Sequence, residues 1–128
     1  MTAATLPTSP LLGAIWETFV FAELRKLVSL QDEPATLWFY RDQRAREIDF
    51  VIDSGGRLSF IEAKWQEHPR NHDARTIHAV SRELADSNLP WTPGRHLVIG
   101  TPANRYDLAN NVTALGVADL GPAFAAPQ

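Results

Sequence analysis

The sequence contains no cysteine, only two lysines and no long uninterrupted run of apolar residues. The absence of cysteine excludes disulfide bonds and thiol catalysis, and it fits a reducing compartment. Because a membrane-spanning helix needs about 20 mostly apolar residues, no such span is predicted. The first ten residues lack the basic and apolar segments of a secretory signal. We therefore expect a cytoplasmic protein that does not enter a membrane.

A phosphate-binding loop of the form Gly-x-x-x-x-Gly-Lys-Ser/Thr is also absent, so the chain itself is not expected to hydrolyse ATP. The chain has 128 residues, of which 45% are hydrophobic, and this suffices for one domain with a small core. A net charge of −3 argues against non-specific nucleic-acid binding by the whole surface, but it leaves room for a local basic rim. We predict a tail or linker remnant at residues 1–10, a domain at 11–120 and a second tail at 121–128.

Hydrophobic patterning predicts an α/β domain with a mixed sheet and the element order α-β-β-β-α-β. Apolar residues lie almost all round the first helix, which predicts that it is buried on most sides. A later helix can be capped by Asn71 or Asp73, and a short apolar run after it is typical of a central strand. The predicted segments are a helix at 11–29, strands at 36–40, 46–52 and 60–64, a helix from the cap to about Ser87, a strand at 95–101 and an edge strand at 112–120.

Charged side chains interrupt the second and third predicted strands. Asp49 lies inside one strand, and Glu62 and Lys64 lie at the end of the other. The residues between the strands, Asp53–Gly56, are typical of a turn, so the pair is predicted to form a hairpin. Two carboxylates that meet across a hairpin repel each other, and burial of a lone charge is costly. A divalent cation and a nearby lysine would relieve both problems.

Side chains alternate between the two faces of a strand, and this predicts how the second strand is oriented. One face is expected to carry Ile48, Phe50 and Ile52. The other face is expected to carry Glu47, Asp49 and Val51.

The pattern of an acid on one strand and Glu-Ala-Lys on the next, here Asp49 and Glu62–Lys64, resembles the core motif of the PD-(D/E)XK nuclease superfamily. The chain is also similar, over roughly residues 11–100, to the C-terminal nuclease-like domain, of unknown function, of bacterial and archaeal AAA+-type ATPases. The segments that carry this similarity are Gly13–Val20, Tyr40–Asp42, Glu47–Val51 and Ile61–Lys64. The resemblance implies a three-layer, restriction-endonuclease-like core.

The resemblance further implies a site for Mg²⁺ or Mn²⁺. Asp49 and Glu62 would bind the cation through their side chains, and the main-chain carbonyl of Ala63 would add a ligand. Glu17 matches the position of a third carboxylate on the first helix of the superfamily. Glu23 competes for this role, because it also lies on an apolar stripe and helical spacing does not choose between the two.

The activity implied by the resemblance is metal-dependent hydrolysis of phosphodiester bonds in nucleic acid, with DNA as the expected substrate. Lys64 would orient or deprotonate the attacking water, or stabilise the developing negative charge. The candidate catalytic residues are Asp49, Glu62, Lys64 and Glu17.

Two groups of basic residues are candidate contacts to nucleic-acid phosphates. Arg41, Arg44 and Arg46 lie beside the predicted hairpin, and arginine is well suited to phosphate. The second predicted helix places three further residues on one face, namely Arg75, His78 and Arg82. For both groups the alternative is an ordinary solvated surface.

Three other hypotheses stay open at this point. The domain could bind without cutting, as a regulatory module that docks on an AAA+-type ATPase, on a second copy of itself or on DNA. The acids and Lys64 could form an ion-pair cluster without any cation. The chain could also be an unrelated small α/β domain whose motif is accidental. Four large aromatic residues would serve in an interface as well as in a core, namely Trp38, Phe39, Trp65 and Trp91.

Overall fold

The computed structural model describes residues 10–125 of the chain. The predicted tail at residues 1–10 lies outside the described residues, except for Pro10, which is the first residue of a helix. Within residues 10–125, no helix is both long enough and apolar enough to cross a lipid bilayer.

Three helices and seven strands make up the described chain. The helices are α1 (Pro10–Ser29), α2 (Arg75–Ala85) and α3 (Leu120–Ala125), and 3-10 turns at Asn71–Ala74 and Val117–Asp119 lead into the last two. The strands are β1 (Thr36–Arg41), β2 (Glu47–Ser54), β3 (Arg57–Ala63), β4 (Thr92–Pro93), β5 (His96–Ile99), β6 (Tyr106–Asp107) and β7 (Val112–Leu115).

The strands form one mixed sheet in the order β1-β2-β3-β5-β7-β6, and β4 pairs with the start of β3. β1, β2 and β3 are antiparallel neighbours, whereas β3, β5 and β7 run parallel. The predicted β2–β3 hairpin is present, and its turn uses Gly55 and Gly56 at φ values of 63° and 88°, which glycine adopts readily. α2 supplies the crossover between the parallel strands β3 and β5, as parallel pairing requires.

Helices cover both faces of this sheet. On one face Val20 and Leu24 of α1 and Leu120 of α3 pack in one core with the apolar side chains of β2, β3, β5 and β7. On the other face Ile77 and Val80 of α2 lie in a second core. The predicted three-layer α/β architecture with a mixed sheet is therefore confirmed.

An irregularity in the pairing of β1 with β2 overturns the predicted strand faces. Trp38 pairs with Val51 but Tyr40 pairs with Ile48, so β2 contains one residue more than β1 between these pairs. Such a bulge moves the side chains on one side of it to the opposite face. Ile48 consequently packs in the α2 core, while Phe50 packs in the α1 core. The prediction that Ile48 shares a face with Phe50 and Ile52 is wrong for this reason.

The prediction that the first helix is buried on most sides is also wrong. In α1 only Val20 and Leu24 are classed as buried. Leu11, Ile15 and Phe19 are 61%, 53% and 47% exposed. Among residues 10–125 the sheet packs against one side of α1, and Ile15 and Phe19 on the helix stay largely exposed.

The C-terminal part differs from the prediction as well. The expected edge strand at 112–120 is the shorter β7, which lies inside the sheet because β6 pairs with its outer side. The expected tail at 121–128 begins with α3, whose Ala123 is buried in the α1 core. Residues 126–128 lie outside the described chain. The folded part therefore extends at least to Ala125.

Gly100 follows β5 where the chain passes the end of β3, and it provides a test of this packing. A Cβ atom on Gly100 would lie 2.6 Å from the Gln66 carbonyl oxygen and 3.1 Å from that of Lys64. Gly100→Ala should therefore lower the free energy of unfolding by about 1–3 kcal/mol, because backbone must move to admit the methyl group. The measurement is urea denaturation.

Gly13→Ala is the matched control, because a Cβ there has no atom within 4 Å and Gly13 lies in α1. The control should raise the free energy of unfolding by about 0.5–1 kcal/mol, since alanine favours a helix over glycine. Equal effects of the two substitutions would contradict the packing described at Gly100.

Candidate functional site

Asp49 and Glu62 lie at the open end of the β2–β3 hairpin, opposite its turn. The neighbouring pair Phe50–Ile61 fixes the register and makes Asp49 the residue across from Glu62. The Asp49 amide donates to Glu62 Oε1 at 3.2 Å, and the Ala63 amide donates to Asp49 Oδ2 at 2.9 Å. Each carboxylate thus accepts a hydrogen bond from the main chain of the other strand, which fixes the two side chains beside each other.

Burial dominates the protonation of this acidic pair. Glu62 is 7% exposed, and burial followed by the charge of Asp49 raises its pKa to about 8. Burial also raises the pKa of Asp49, although the Ala63 amide and then the Lys64 charge act in the opposite direction. A pair of carboxylates with raised pKa values in one place favours binding of a proton or of another cation.

Lys64 is the nearest basic side chain to the pair, but it does not neutralise it fully. Lys64 Nζ lies 3.9 Å from Glu62 Oε2, and the lysine side chain is 41% exposed. A charge-assisted hydrogen bond would be roughly 2.7–2.9 Å long. The Lys64 ammonium therefore lowers the pKa values of both acids, yet burial still outweighs it in each case.

Glu17 is the third predicted acid, and it is an exposed residue of α1 that lies one turn before the buried Val20. Its pKa is raised by burial and then by the charges of Asp49 and Glu47, and its own charge in turn raises the pKa of Glu62. Glu23, the competing candidate, forms an ion pair with Lys26 at 2.9 Å instead. The structure thus brings Glu17 rather than Glu23 into electrostatic contact with the pair.

Trp16 fixes the position of α1 beside these acids. Its indole Nε1 donates to the Ile99 carbonyl at 3.0 Å, and its ring lies 5.3 Å from that of Trp65. Ile99 pairs with Ala63 across the parallel strands, so the helix is anchored at the level of the acidic pair. Sequence reasoning assigned no role to Trp16, since an apolar helix position is ordinarily a core position.

Glu47 is an acid that sequence reasoning did not include in the site. Its charge raises the pKa values of both Glu17 and Asp49. The sequence feature that could have indicated Glu47 is its position in the same strand, two residues before Asp49. Glu47 also lies 3.6 Å from Arg41, so part of its charge is neutralised within the chain.

The ability of the site to hold a metal ion depends on oxygen donors. Among residues 10–125, no three or more His, Cys, Asp and Glu side chains are grouped so that they could share one ion. What the structure brings together is the pair Asp49 and Glu62, with Glu17 acting on it through its charge. Ala63, the remaining predicted ligand, donates its amide to Asp49 and lies next to Glu62 in β3.

The three arginines near the hairpin are held by carboxylates of the same chain. Arg46 contacts both Asp42, at 2.7 Å, and Glu83, at 2.6 Å. Arg44 also contacts Glu83, at 3.0 Å, and Arg41 contacts Glu47. Arg44 and Arg46 therefore hold the β1–β2 turn against α2, whereas Arg41 pairs β1 with β2.

The basic residues of α2 lie around one surface hollow of about 410 Å³. Within residues 10–125, Arg75 and Arg82 form no ion pair, while the His78 ring is within hydrogen-bonding distance, 3.0 Å, of the Ala109 carbonyl oxygen. The hollow is lined by Arg46, Arg75, His78, Ala79, Arg82, Glu83 and Asp86. Four of the six predicted basic contacts thus converge there, accompanied by two acids.

The fold and the acidic pair together define a three-layer α/β domain with one buried and one half-buried carboxyl group at the end of its central hairpin. The chain belongs to the family described as Domain of unknown function (DUF4143), which matches residues 12–120. This description names no activity.

Two curated relatives are similar to the chain at 26% identity over 110 residues. They are the uncharacterized proteins Rv2008c of Mycobacterium tuberculosis and Mb2031c of Mycobacterium bovis. The match covers 86% of this chain but only 22% of each relative, so the relatives contain a large additional part. No solved structure matches the chain.

The acidic pair predicts an unusual dependence of stability on pH. Because the pKa of Glu62 is about 8 in the folded protein and 4.5 ordinarily, the folded protein keeps a proton that the unfolded chain releases between these values. The free energy of unfolding should therefore fall as the pH rises from 4.5 to 8. In Glu62→Gln the free energy of unfolding should change little between these pH values. At pH 8 it should exceed that of the wild type by on the order of 2–4 kcal/mol.

Urea denaturation at both pH values, with EDTA present to remove cations, measures this effect. Glu33→Gln is the control, because Glu33 is an exposed acid in the loop between α1 and β1. An equal pH dependence in wild type and Glu62→Gln would show that the buried carboxylate does not bind the extra proton.

Proposed function

We propose that this domain binds Mg²⁺ or Mn²⁺ at Asp49 and Glu62 and hydrolyses phosphodiester bonds of nucleic acid, with DNA as the preferred substrate. The observation that supports this most strongly is the nearly complete burial of Glu62 beside Asp49, which raises the Glu62 pKa to about 8. Such a pair is costly unless a cation joins it. A cytoplasmic location is part of the same proposal.

The chemistry of the donors fits a small divalent cation. Mg²⁺ takes oxygen ligands, keeps several waters and is usually held by only one or two carboxylates. One oxygen of each acid accepts a main-chain amide, Asp49 Oδ2 from Ala63 and Glu62 Oε1 from Asp49, which leaves the other oxygens for a cation. The Ala63 carbonyl would be a third donor, and Glu17 would contribute through a bound water.

Each residue of the site would then have a separate role in hydrolysis. A bound divalent cation would supply an activated water and neutralise the negative charge that develops on the phosphate. Lys64 is exposed enough to move, and it would orient the attacking water or hold the developing charge. Arg75 and Arg82 would hold the nucleic-acid backbone at the α2 hollow. Contacts of positively charged side chains to phosphate do not depend on the base sequence.

A second candidate function is a binding module that does not cut. Trp38 and Phe39 of the edge strand β1 are 60% and 80% exposed, and the outer side of α1 presents Ile15 and Phe19. Exposed apolar patches mark interaction surfaces in many proteins. The candidate partners are an AAA+-type ATPase module, which the large additional part of the curated relatives would accommodate, and a second copy of this chain.

Titration of MgCl₂ or MnCl₂ while following Tm tests the cation site. A cation that binds only the folded state at a hundredfold excess over its Kd adds about 2.7 kcal/mol and should raise Tm by roughly 10 °C. Asp49→Asn should abolish the rise, because it removes a ligand charge while keeping the side-chain shape. Glu17→Gln should weaken it, whereas the matched substitution Glu23→Gln on the same helix should leave it unchanged.

A Tm that stays constant in wild type over the whole titration would leave the acids as an ion-pair cluster with Lys64 and would refute the metal site. If Glu17→Gln and Glu23→Gln reduced the cation-dependent rise of Tm equally, Glu17 would have no specific role in the metal site.

Incubation with supercoiled, linear and branched DNA and with RNA tests turnover. Lys64→Gln should keep the cation-dependent rise of Tm but reduce the cleavage rate by about 10²–10⁴-fold, because the side chain acts on the water and not on the ion. A full Tm response in wild type without cleavage of any substrate would favour the binding module over the nuclease.

A further inference from the structure

A concave surface lies apart from the acidic pair, and neither Asp49 nor Glu62 lines it. This cleft has a volume of about 1020 Å³ and lies between α2, the segment 89–95 and the loop at 107–111. Most small-molecule sites have volumes of roughly 300–1000 Å³ and combine apolar walls with a few polar groups. The cleft is therefore large enough for a small organic ligand.

His96, the first residue of β5, lines the cleft and is only 5% exposed. Its ring stacks on that of Phe60 with centroids 4.9 Å apart and an interplanar angle of 9°. The Phe60 amide donates to His96 Nδ1 at 3.1 Å. Since Nδ1 accepts, the proton of the neutral ring must be on Nε2.

The environment of His96 keeps this ring uncharged. Burial first, and the charge of His78 second, lower the His96 pKa to about 4. In the part of the chain that the structure describes, Nε2 has no hydrogen-bond partner, so its N–H is available as a donor at neutral pH. An uncharged donor supplies no positive charge to offset the cost of removing an anion from water, so it suits an uncharged acceptor.

Ser81 on α2 adds a second polar group to the same cleft. Its hydroxyl is buried and has no hydrogen-bond partner among residues 10–125. A buried polar group without a partner costs free energy, and in a native protein it calls for an explanation. A ligand atom in the cleft would provide that partner once the hydroxyl turns toward it.

Apolar side chains form the walls of the cleft. Leu84, Leu89, Trp91 and Pro93 are among them, and the Trp91 ring stacks against Phe60 at a centroid distance of 6.3 Å. No lysine lines the cleft, and its charged residues are one arginine and one aspartate, Arg95 and Asp107. This surface is suited to a flat, uncharged molecule, because aromatic and leucine side chains bind such a molecule by burial of its faces.

The geometry points to a binding site for an uncharged planar nitrogen heterocycle of nucleoside size, held by His96 Nε2–H and the Ser81 hydroxyl and covered by Trp91 and Leu84. A ring nitrogen or carbonyl of the ligand accepts from His96. The ligand supplies the missing partner of Ser81. The site does not depend on the acidic pair or on any cation.

NMR titration of the ¹⁵N-labelled chain with adenosine and with cytidine tests this site, with EDTA present throughout. We expect saturable shifts of the Trp91 indole N–H and the His96 Nε2 signals with at least one nucleoside. Ribose 5-phosphate, which is anionic and lacks a base, should leave both signals unchanged. Because the readout needs no metal, its failure would not touch the nuclease proposal.

Ser81→Ala should weaken nucleoside binding by about 2–10-fold, which corresponds to one neutral hydrogen bond. The variant should fold as well as the wild type, because it removes a hydroxyl that has no partner in the protein. Ser29→Ala is the matched control, since the Ser29 hydroxyl bonds the Lys26 carbonyl at the end of α1. Absence of saturable shifts with both nucleosides, stronger shifts with ribose 5-phosphate, or unchanged affinity in Ser81→Ala would each overturn the proposal.

Discussion

The exchange of hydrogen bonds between Asp49 and the residues Glu62 and Ala63 determines the character of this domain. A regular hairpin pairs amides with carbonyls, but here two carboxylates accept amides of the opposite strand. This arrangement keeps two carboxyl groups side by side, of which that of Glu62 is buried and that of Asp49 is half-buried. Burial raises the pKa values of both acids in this arrangement, whereas the donated amides and the Lys64 charge lower them in part.

The surrounding fold supports this exchange from both sides. The parallel pairing of β3 with β5 fixes Ala63 opposite Ile99, and the Ile99 carbonyl receives the indole of Trp16. Gly100 allows the chain to pass closely over Lys64 and Gln66 at the same level. The acids therefore lie where a helix, two parallel strands and a tight passage of the main chain meet, which limits how far they can move apart.

The sequence was sufficient to predict the layered fold class, because the order of periodic segments and the apolar run at Leu97–Ile99 indicate a central sheet. It was also sufficient to predict the hairpin that carries Asp49 and Glu62, since Asp53–Gly56 is typical of a turn. It was not sufficient to detect the bulge in β2, which depends on pairing with β1. The same limit applies to α1, where an apolar pattern cannot show which of its side chains stay exposed among residues 10–125.

His96 illustrates a different limit. In the sequence it precedes three apolar residues and resembles a core position. Its burial in the structure is also what a core residue would show. Only the hydrogen bond from the Phe60 amide shows which ring nitrogen carries the proton. The tautomer of a histidine depends on which groups surround its ring in the folded protein. The spacing of residues in a sequence therefore cannot predict it.

The small number of buried residues in α1 has a consequence for the motions of the domain. Only two of its residues are fully buried, yet the helix carries Glu17. Segments with few buried apolar contacts open locally at a lower free energy than the core of a protein. Transient detachment of this one helix would thus withdraw Glu17 from the other acids while the sheet stays intact, so that exchange of its amide hydrogens with solvent would report on assembly of the site.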